Sequence, residues 1–175
     1  DGYVDLAGFG LTTLPIQFGK VAKDFIINRN NLTSLKGCPE YVGGDFACVK
    51  NNLTSLDYSP KTVKVSFYCR RNKLTTLKGI PEYIEVNFSC ANNNLLSLEN
   101  GPKEVGGSYN CSNNPRNFTE EDVDKACIVH GKVILEDEFL SEAKTKYKSV
   151  KDRIEKMHIP KELKERILTL VNSGT

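Results

Sequence analysis

At 175 residues, 39% hydrophobic and 26% charged, the chain suits one soluble globular domain or a domain with an appendage, and large-scale disorder is not expected. Its net charge is +2, split as 12 basic and 10 acidic residues through Pro115 and 12 of each beyond it, so a nucleic-acid partner is not expected of either part. No apolar run approaches the ~20 residues that span a bilayer, and Asp1-Gly2-Tyr3 lacks the basic and apolar regions of a signal peptide, so the expected setting is cytoplasmic and away from membranes.

Val4 and Leu6 alternate about Asp5 as in a first strand, and the missing initiator Met ahead of them suggests a trimmed product. From there a 21-residue beat takes over, with Leu11, Leu32, Leu53, Leu74 and Leu95 followed three residues later by Leu14, Leu35, Leu56, Leu77 and Leu98. The same spacing carries Phe25, Phe46, Phe67, Phe88 and Tyr109, then Ile27, Cys48, Cys69, Cys90 and Cys111, then Asn30, Asn51, Asn72, Asn93 and Asn114. Alternating apolar residues followed by an offset leucine pair predict a short strand and a turn in every unit. One such unit is too small to bury its own apolar face, so stacking the columns is what makes a core.

The asparagines fall where each strand turns away, and an inward amide there satisfies backbone groups of adjacent turns that burial would otherwise leave unpaired. Pro39, Pro60, Pro81 and Pro102 repeat with the same period and favour an extended return over a helix, since each fixes φ and removes a donor. Gly43-Gly44 and Gly106-Gly107 open two of the strands, whereas Lys64-Val65 and Glu85-Val86 stand in the corresponding places. The middle units are therefore expected to manage without a glycine conformation.

Four cysteines on one column invite a metal or disulfide reading. Parallel strands place them ~4.8 Å apart, beyond the preferred Cβ separation of a disulfide, and sulfurs on a line cannot gather into a zinc tetrahedron. They are expected to be reduced and buried as small hydrophobes, and no metal or cofactor is expected. Cys38 and Cys127 lie off the column and are the candidates for modest thiol reactivity.

After Pro115 the beat ends. Thr119-Glu120-Glu121-Asp122 predicts a capped helix to about Cys127, and Lys132-Val133-Ile134-Leu135 predicts a last strand that closes the sheet edge. Phe139, Leu140, Ala143, Tyr147, Val150, Ile154 and Met157 recur at helical intervals across Asp137–Met157, and a second helix is expected from Pro160 with Leu163, Ile167, Leu170 and Val171 on its apolar face. Together these make a helical hairpin, open to self-association through residues 137–172. The two histidines, His130 and His158, stand in no metal-ligand spacing, and the sequence carries no phosphate loop and no nucleophile elbow.

The unit Phe67-x-Cys69-x-x-Asn72-x-Leu74-x-x-Leu77 resembles the leucine-rich repeat family, with Phe and Cys replacing the first two leucines of Leu-x-Leu-x-x-Asn-x-Leu. The resemblance covers about residues 1–115, and its shortness and lack of a helical return are most similar to the repeats of bacterial effectors and bacteriophage-encoded proteins. It implies an α/β repeat fold, a leucine-rich repeat solenoid with a parallel β-sheet over 1–115; the short helix, candidate last strand and helical hairpin read from the pattern of 116–175 are expected to cap it. Effectors with similar repeats carry a ubiquitin-ligase domain, but that domain is larger than residues 116–175, so no enzymatic activity is carried over.

In such a stack the residues alternating with Phe and Cys form the concave face. The candidate binding residues are Asp45, Tyr68, Arg70, Arg71, Asn87, Ser89 and Asn110, with Tyr68 and Arg70 foremost because Tyr and Arg are frequent interface hot spots. The expected function is non-enzymatic binding of a protein partner; for a phage-encoded chain this is a host protein or the phage particle, in the host cytoplasm. The alternative is oligomerisation or docking through the C-terminal hairpin, with the solenoid as scaffold.

Overall fold

Each 21-residue unit is spent on two very short strands joined by turns. The computed structural model describes residues 2–136 and positions 155, 161, 162, 164 and 165. In chain order the elements are β1 (Val4–Asp5), β2 (Lys20–Val21), β3 (Phe25–Ile26), β4 (Tyr41–Val42), β5 (Phe46–Ala47), β6 (Thr62–Val63), β7 (Phe67–Tyr68), β8 (Tyr83–Ile84), β9 (Phe88–Ser89), β10 (Glu104–Val105), β11 (Tyr109–Asn110), α1 (Glu120–Ala126), β12 (Ile128–Val129) and β13 (Val133–Ile134). The odd-numbered strands form one parallel seven-stranded sheet in sequence order. The returns form two further parallel sheets, β2-β4-β6 and β8-β10-β12. The protein is a parallel β-solenoid.

The core lies between the long sheet and the returns. Phe25, Phe46, Phe67, Phe88 and Tyr109 are buried in one column, the rings 4.9–6.3 Å apart by centroid. Phe18 closes its N-terminal end edge-on against Phe25, at 5.0 Å. The leucine pairs and the Ile27 and Cys column pack beside them. From the return side come Val21, Val42, Val63, Ile84 and Val105, also buried and also 21 residues apart.

The glycine pairs have a different purpose from the one expected. Neither Gly43 nor Gly106 has a positive φ; a Cβ at Gly43 would stand 2.1 Å from the Ala22 carbonyl oxygen, and one at Gly106 would stand 2.1 Å from that of Glu85. They permit close approach of stacked returns. Every interface between consecutive returns that includes Gly43-Gly44, Gly106-Gly107 or Gly131 is a paired ladder. The exception is β6 against β8, where Lys64-Val65 meets Glu85-Val86, neither pair containing glycine, and there the return sheet breaks. A single bond, Val86 N–H to the Val65 carbonyl at 3.0 Å, spans that gap. The middle units do without glycine, but they give up the ladder between them.

α1 is capped as its sequence predicts. Asp122 N–H donates to Thr119 Oγ1 at 3.2 Å and Thr119 N–H to Asp122 Oδ2 at 3.0 Å, a reciprocal box that draws the Asp122 carboxyl below its ordinary pKa. Phe118, Val123 and Cys127 are buried on the solenoid end. Because α1 is inserted ahead of the last return strand, β12, the last turn is longer: Tyr109 pairs with Val133 and Glu104 with Ile128, 24 residues on in both cases.

The compact unit continues past Pro115, where the beat stops, and ends at Leu135; a second unit comprises Glu136–Thr175. In the second, positions 155, 161, 162, 164 and 165 are helical, and Lys164 Nζ donates to the Glu155 carbonyl at 2.5 Å. The rest of the expected hairpin over 137–172 lies outside the described residues, as does His158. Among the described residues no helix is long and apolar enough to cross a membrane.

Tyr109 carries the aromatic column's one hydroxyl into the core, where no hydrogen bond of good geometry reaches it and the Cys90 thiol, a weak partner, is its polar neighbour. Tyr109→Phe is therefore expected to raise stability by about 1 kcal/mol, because the cost of burying an unpaired hydroxyl disappears while the ring stays. Urea midpoints measured by circular dichroism test this; a loss of stability would show that the hydroxyl is satisfied in solution.

Candidate functional site

On the outer face of the long sheet, the strand register aligns three columns. Ile26, Ala47, Tyr68, Ser89, Asn110 and Ile134 form the middle one. Two residues earlier in each unit stand Asp24, Asp45, Ser66, Asn87 and Ser108; two residues later stand Asn28, Val49, Arg70, Ala91 and Ser112.

The strands are so short that side chains must complete the backbone pairing. Asp45 N–H donates to Asp24 Oδ1 at 2.8 Å, Ser66 N–H to Asp45 Oδ1 at 3.0 Å, Asn87 N–H to Ser66 Oγ at 3.2 Å and Ser108 N–H to Asn87 Oδ1 at 2.9 Å. On the other side Val49 N–H donates to Asn28 Oδ1 at 2.7 Å. Asn110 Oδ1 accepts from both Ser112 N–H, at 3.0 Å, and Ser112 Oγ, at 2.8 Å. This polar ladder holds the face rigid and sets which way each side chain points.

At its centre is a depression of about 540 Å³, lined among others by Tyr68, Arg70, Asn87, Ser89, Asn110, Val49 and Ile134. Five of the seven candidate residues thus come together. The other two stand apart. Asp45 serves the ladder and is not in the lining. Arg71 occupies a turn with φ 58°, in register with Arg29 and Lys50, at φ 55° and 58°, and with Asn92 and Asn113, at 55° and 54°. Each of these left-handed residues follows its strand and leads into the buried asparagine, which is a backbone role that any L side chain fills only at some strain.

Ile134 and Ser89's special state were not legible beforehand. Ile134 joins the face only because the last turn counts 24 residues, so a 21-residue extrapolation misses it. Ser89 is 7% exposed and its hydroxyl has no hydrogen-bond partner, although its neighbours on the face are paired. No local sequence signal distinguishes it from Ser66 or Ser108.

A second groove, of about 740 Å³, runs between α1 and the returns, lined by Lys78, Glu82, Glu99, Lys103, Arg116, Phe118 and Lys125 among others. The cations that α1 and the segment before it bring there are matched: Arg116 pairs with Asp122 at 2.5 Å and Lys125 with Glu121 at 2.6 Å, while the Arg116 guanidinium lies 5.5 Å from the Phe118 ring centre. These contacts stay within residues 116–125, and the groove gathers none of the seven candidate residues, so the smaller depression on the sheet is the better candidate.

All six cysteines are free and buried. The Cys48, Cys69 and Cys90 thiols donate to carbonyls of the next turn at 3.6, 3.4 and 3.6 Å. Burial raises their pKa well above 9.0, and raises Cys38 and Cys111 to about 12. At Cys127 burial, helped by the nearby Glu104 charge, gives about 11. Neither off-column thiol is therefore activated at neutral pH. Among the described residues no three His, Cys, Asp or Glu side chains converge as metal ligands. An aromatic disulfide reagent is expected to modify none of the thiols in the native protein within minutes and all of them in denaturant; rapid native labelling at Cys127 would contradict the packing. Because the folded thiols have raised pKa values, their contribution to stability is complete below about pH 9 and is lost as the pH rises towards 12. Compared with protein-family models, curated proteins and solved structures, the chain matches none.

Proposed function

We propose that this β-solenoid is a non-enzymatic protein-binding module of leucine-rich-repeat type, whose partner docks on the outer face of the long sheet around Tyr68 and Arg70. The observation that supports it is the convergence of Tyr68, Arg70, Asn87, Ser89 and Asn110 on one depression of about 540 Å³, on a face whose backbone is locked by the side-chain ladder. A preorganised face loses little entropy on binding, and an exposed Arg beside a half-buried Tyr is the pairing from which hot spots are made. The resemblance of the repeats to those of bacteriophage-encoded proteins makes a host-cell protein the partner to seek.

The test is affinity capture with the full chain and with a Tyr68→Ala/Arg70→Ala double variant. Neither side chain takes part in the ladder, so the variant is expected to keep its circular dichroism spectrum and melting temperature. It is expected to lose at least about 2 kcal/mol of affinity, roughly thirtyfold, for the captured protein. Unchanged affinity in the folded variant would remove this face from the reading.

A further inference from the structure

We infer that the depression around Tyr68 and Arg70 recognises a carboxylate, presented as an acidic side chain of the partner polypeptide. This rests on the proposed function and adds the chemistry of what is bound.

The argument starts from the amides. A backbone N–H can only donate, so the atom of Asn28 facing Val49 N–H, of Asn87 facing Ser108 N–H and of Asn110 facing Ser112 N–H must be the amide oxygen. A planar amide with its oxygen turned to the backbone turns its nitrogen the other way. These three Nδ2 groups make no hydrogen bond among the described residues, and all three asparagines line the depression. In these three amides the oxygens are consumed by the ladder and the nitrogens are left over.

Arg70 adds the only formal charge in the lining, is exposed, and has no ion pair among the described residues. The Ser89 hydroxyl has no hydrogen-bond partner and lies just beneath the depression, closed to solvent, so a bound acceptor meets it once the Ser89 side chain turns outward. No Asp or Glu lines the site. A group that offers several lone pairs and one negative charge satisfies all of these at once, and a carboxylate is that group. A single Arg in the lining suits a monoanion; phosphate or nucleic-acid backbone calls for a cluster of cations, and no second cation lines the depression. Val49 and Ile134 at the margins leave room for apolar atoms beside the acid.

The experiment is selection of 12-residue peptides from a random display library on the full chain, followed by synthesis of the winners with every Asp and Glu changed to Asn and Gln. The expected result is enrichment of acidic residues and a tenfold or greater loss of affinity both in the neutralised peptides and with Arg70→Gln. Ser89→Ala is expected to weaken binding several-fold while the melting temperature holds or rises, a combination that a merely structural serine would not produce. Winners that depend on Tyr68 and Arg70 but carry no essential acid would overturn the carboxylate and leave the binding face standing. A selection yielding no peptide sensitive to the Tyr68→Ala/Arg70→Ala variant would overturn both.

Discussion

Asn72→Ala is expected to destabilise the solenoid by about 3 kcal/mol, a large share of the ~5–15 kcal/mol that holds a typical domain folded. In the native protein Asn72 Oδ1 accepts from Leu53 N–H at 3.0 Å, while its Nδ2 donates to the Cys48 and Cys69 carbonyls at 2.9 and 3.1 Å. The two carbonyls each keep a second amide after the substitution, from Asn51 and Asn93 respectively. Leu53 N–H keeps none and is buried, so it carries the main penalty, with two lost bonds adding to it. Asn72→Asp separates the terms: it retains an acceptor for Leu53 but sets a buried carboxylate against two carbonyls, and is expected to be worse than alanine at pH 7. Urea unfolding followed by circular dichroism measures both, and an alanine variant within 1 kcal/mol of the parent would mean that the amide ladder does not hold the turns together.

Gly106→Ala is expected to cost about 3 kcal/mol, although its backbone conformation is open to any residue. The added Cβ would meet the Glu85 carbonyl oxygen at 2.1 Å and its carbonyl carbon at 3.1 Å, and because these are backbone atoms no side-chain rotation relieves the clash. The contrasting site is Gly10, with φ +72° and nothing within 4 Å of a Cβ. Alanine there bears only the left-handed backbone penalty of about 1 kcal/mol. Thermal melts of the two variants therefore rank steric stacking against backbone strain. If Gly10→Ala proves the more damaging, the close approach of the returns is not what the glycine pair provides.

Both positions show how far a sequence carries this architecture. The inward asparagines, the aromatic and cysteine columns and the strand-and-turn alternation follow from spacing alone, because side chains at one place in a strict repeat must share one environment when units stack. Buried columns also explain why Cys38 and Cys127, singled out by leaving the beat, gain no reactivity: packing against the solenoid buries them as well. The same logic does not reach the apolar column of the returns, Val21, Val42, Val63, Ile84 and Val105, since a lone apolar residue in a return looks like an ordinary loop position until the two return sheets bury it.

The candidate site was legible in part. Alternation placed Tyr68, Arg70, Asn87, Ser89 and Asn110 on one face, and the structure gathers them. It could not separate Asp45, whose carboxylate completes a ladder, or Arg71, whose backbone makes a turn, from residues free to meet a partner. Nor could it find Ile134, which a three-residue lengthening of the last turn moves off the beat.

The amino-acid sequence by itself determined the stacked parallel solenoid, its period and its core, because a 21-residue repeat makes the interaction of each unit with the next a local, recurring fact. Only the tertiary structure decided which polar groups remain unspent. Whether an amide oxygen or nitrogen faces outward, and whether a serine hydroxyl finds a partner, depends on hydrogen bonds between residues 21 apart on neighbouring turns. Those contacts are set by the register of the long sheet, which pairs β7 with β9 even where the return sheets break between β6 and β8.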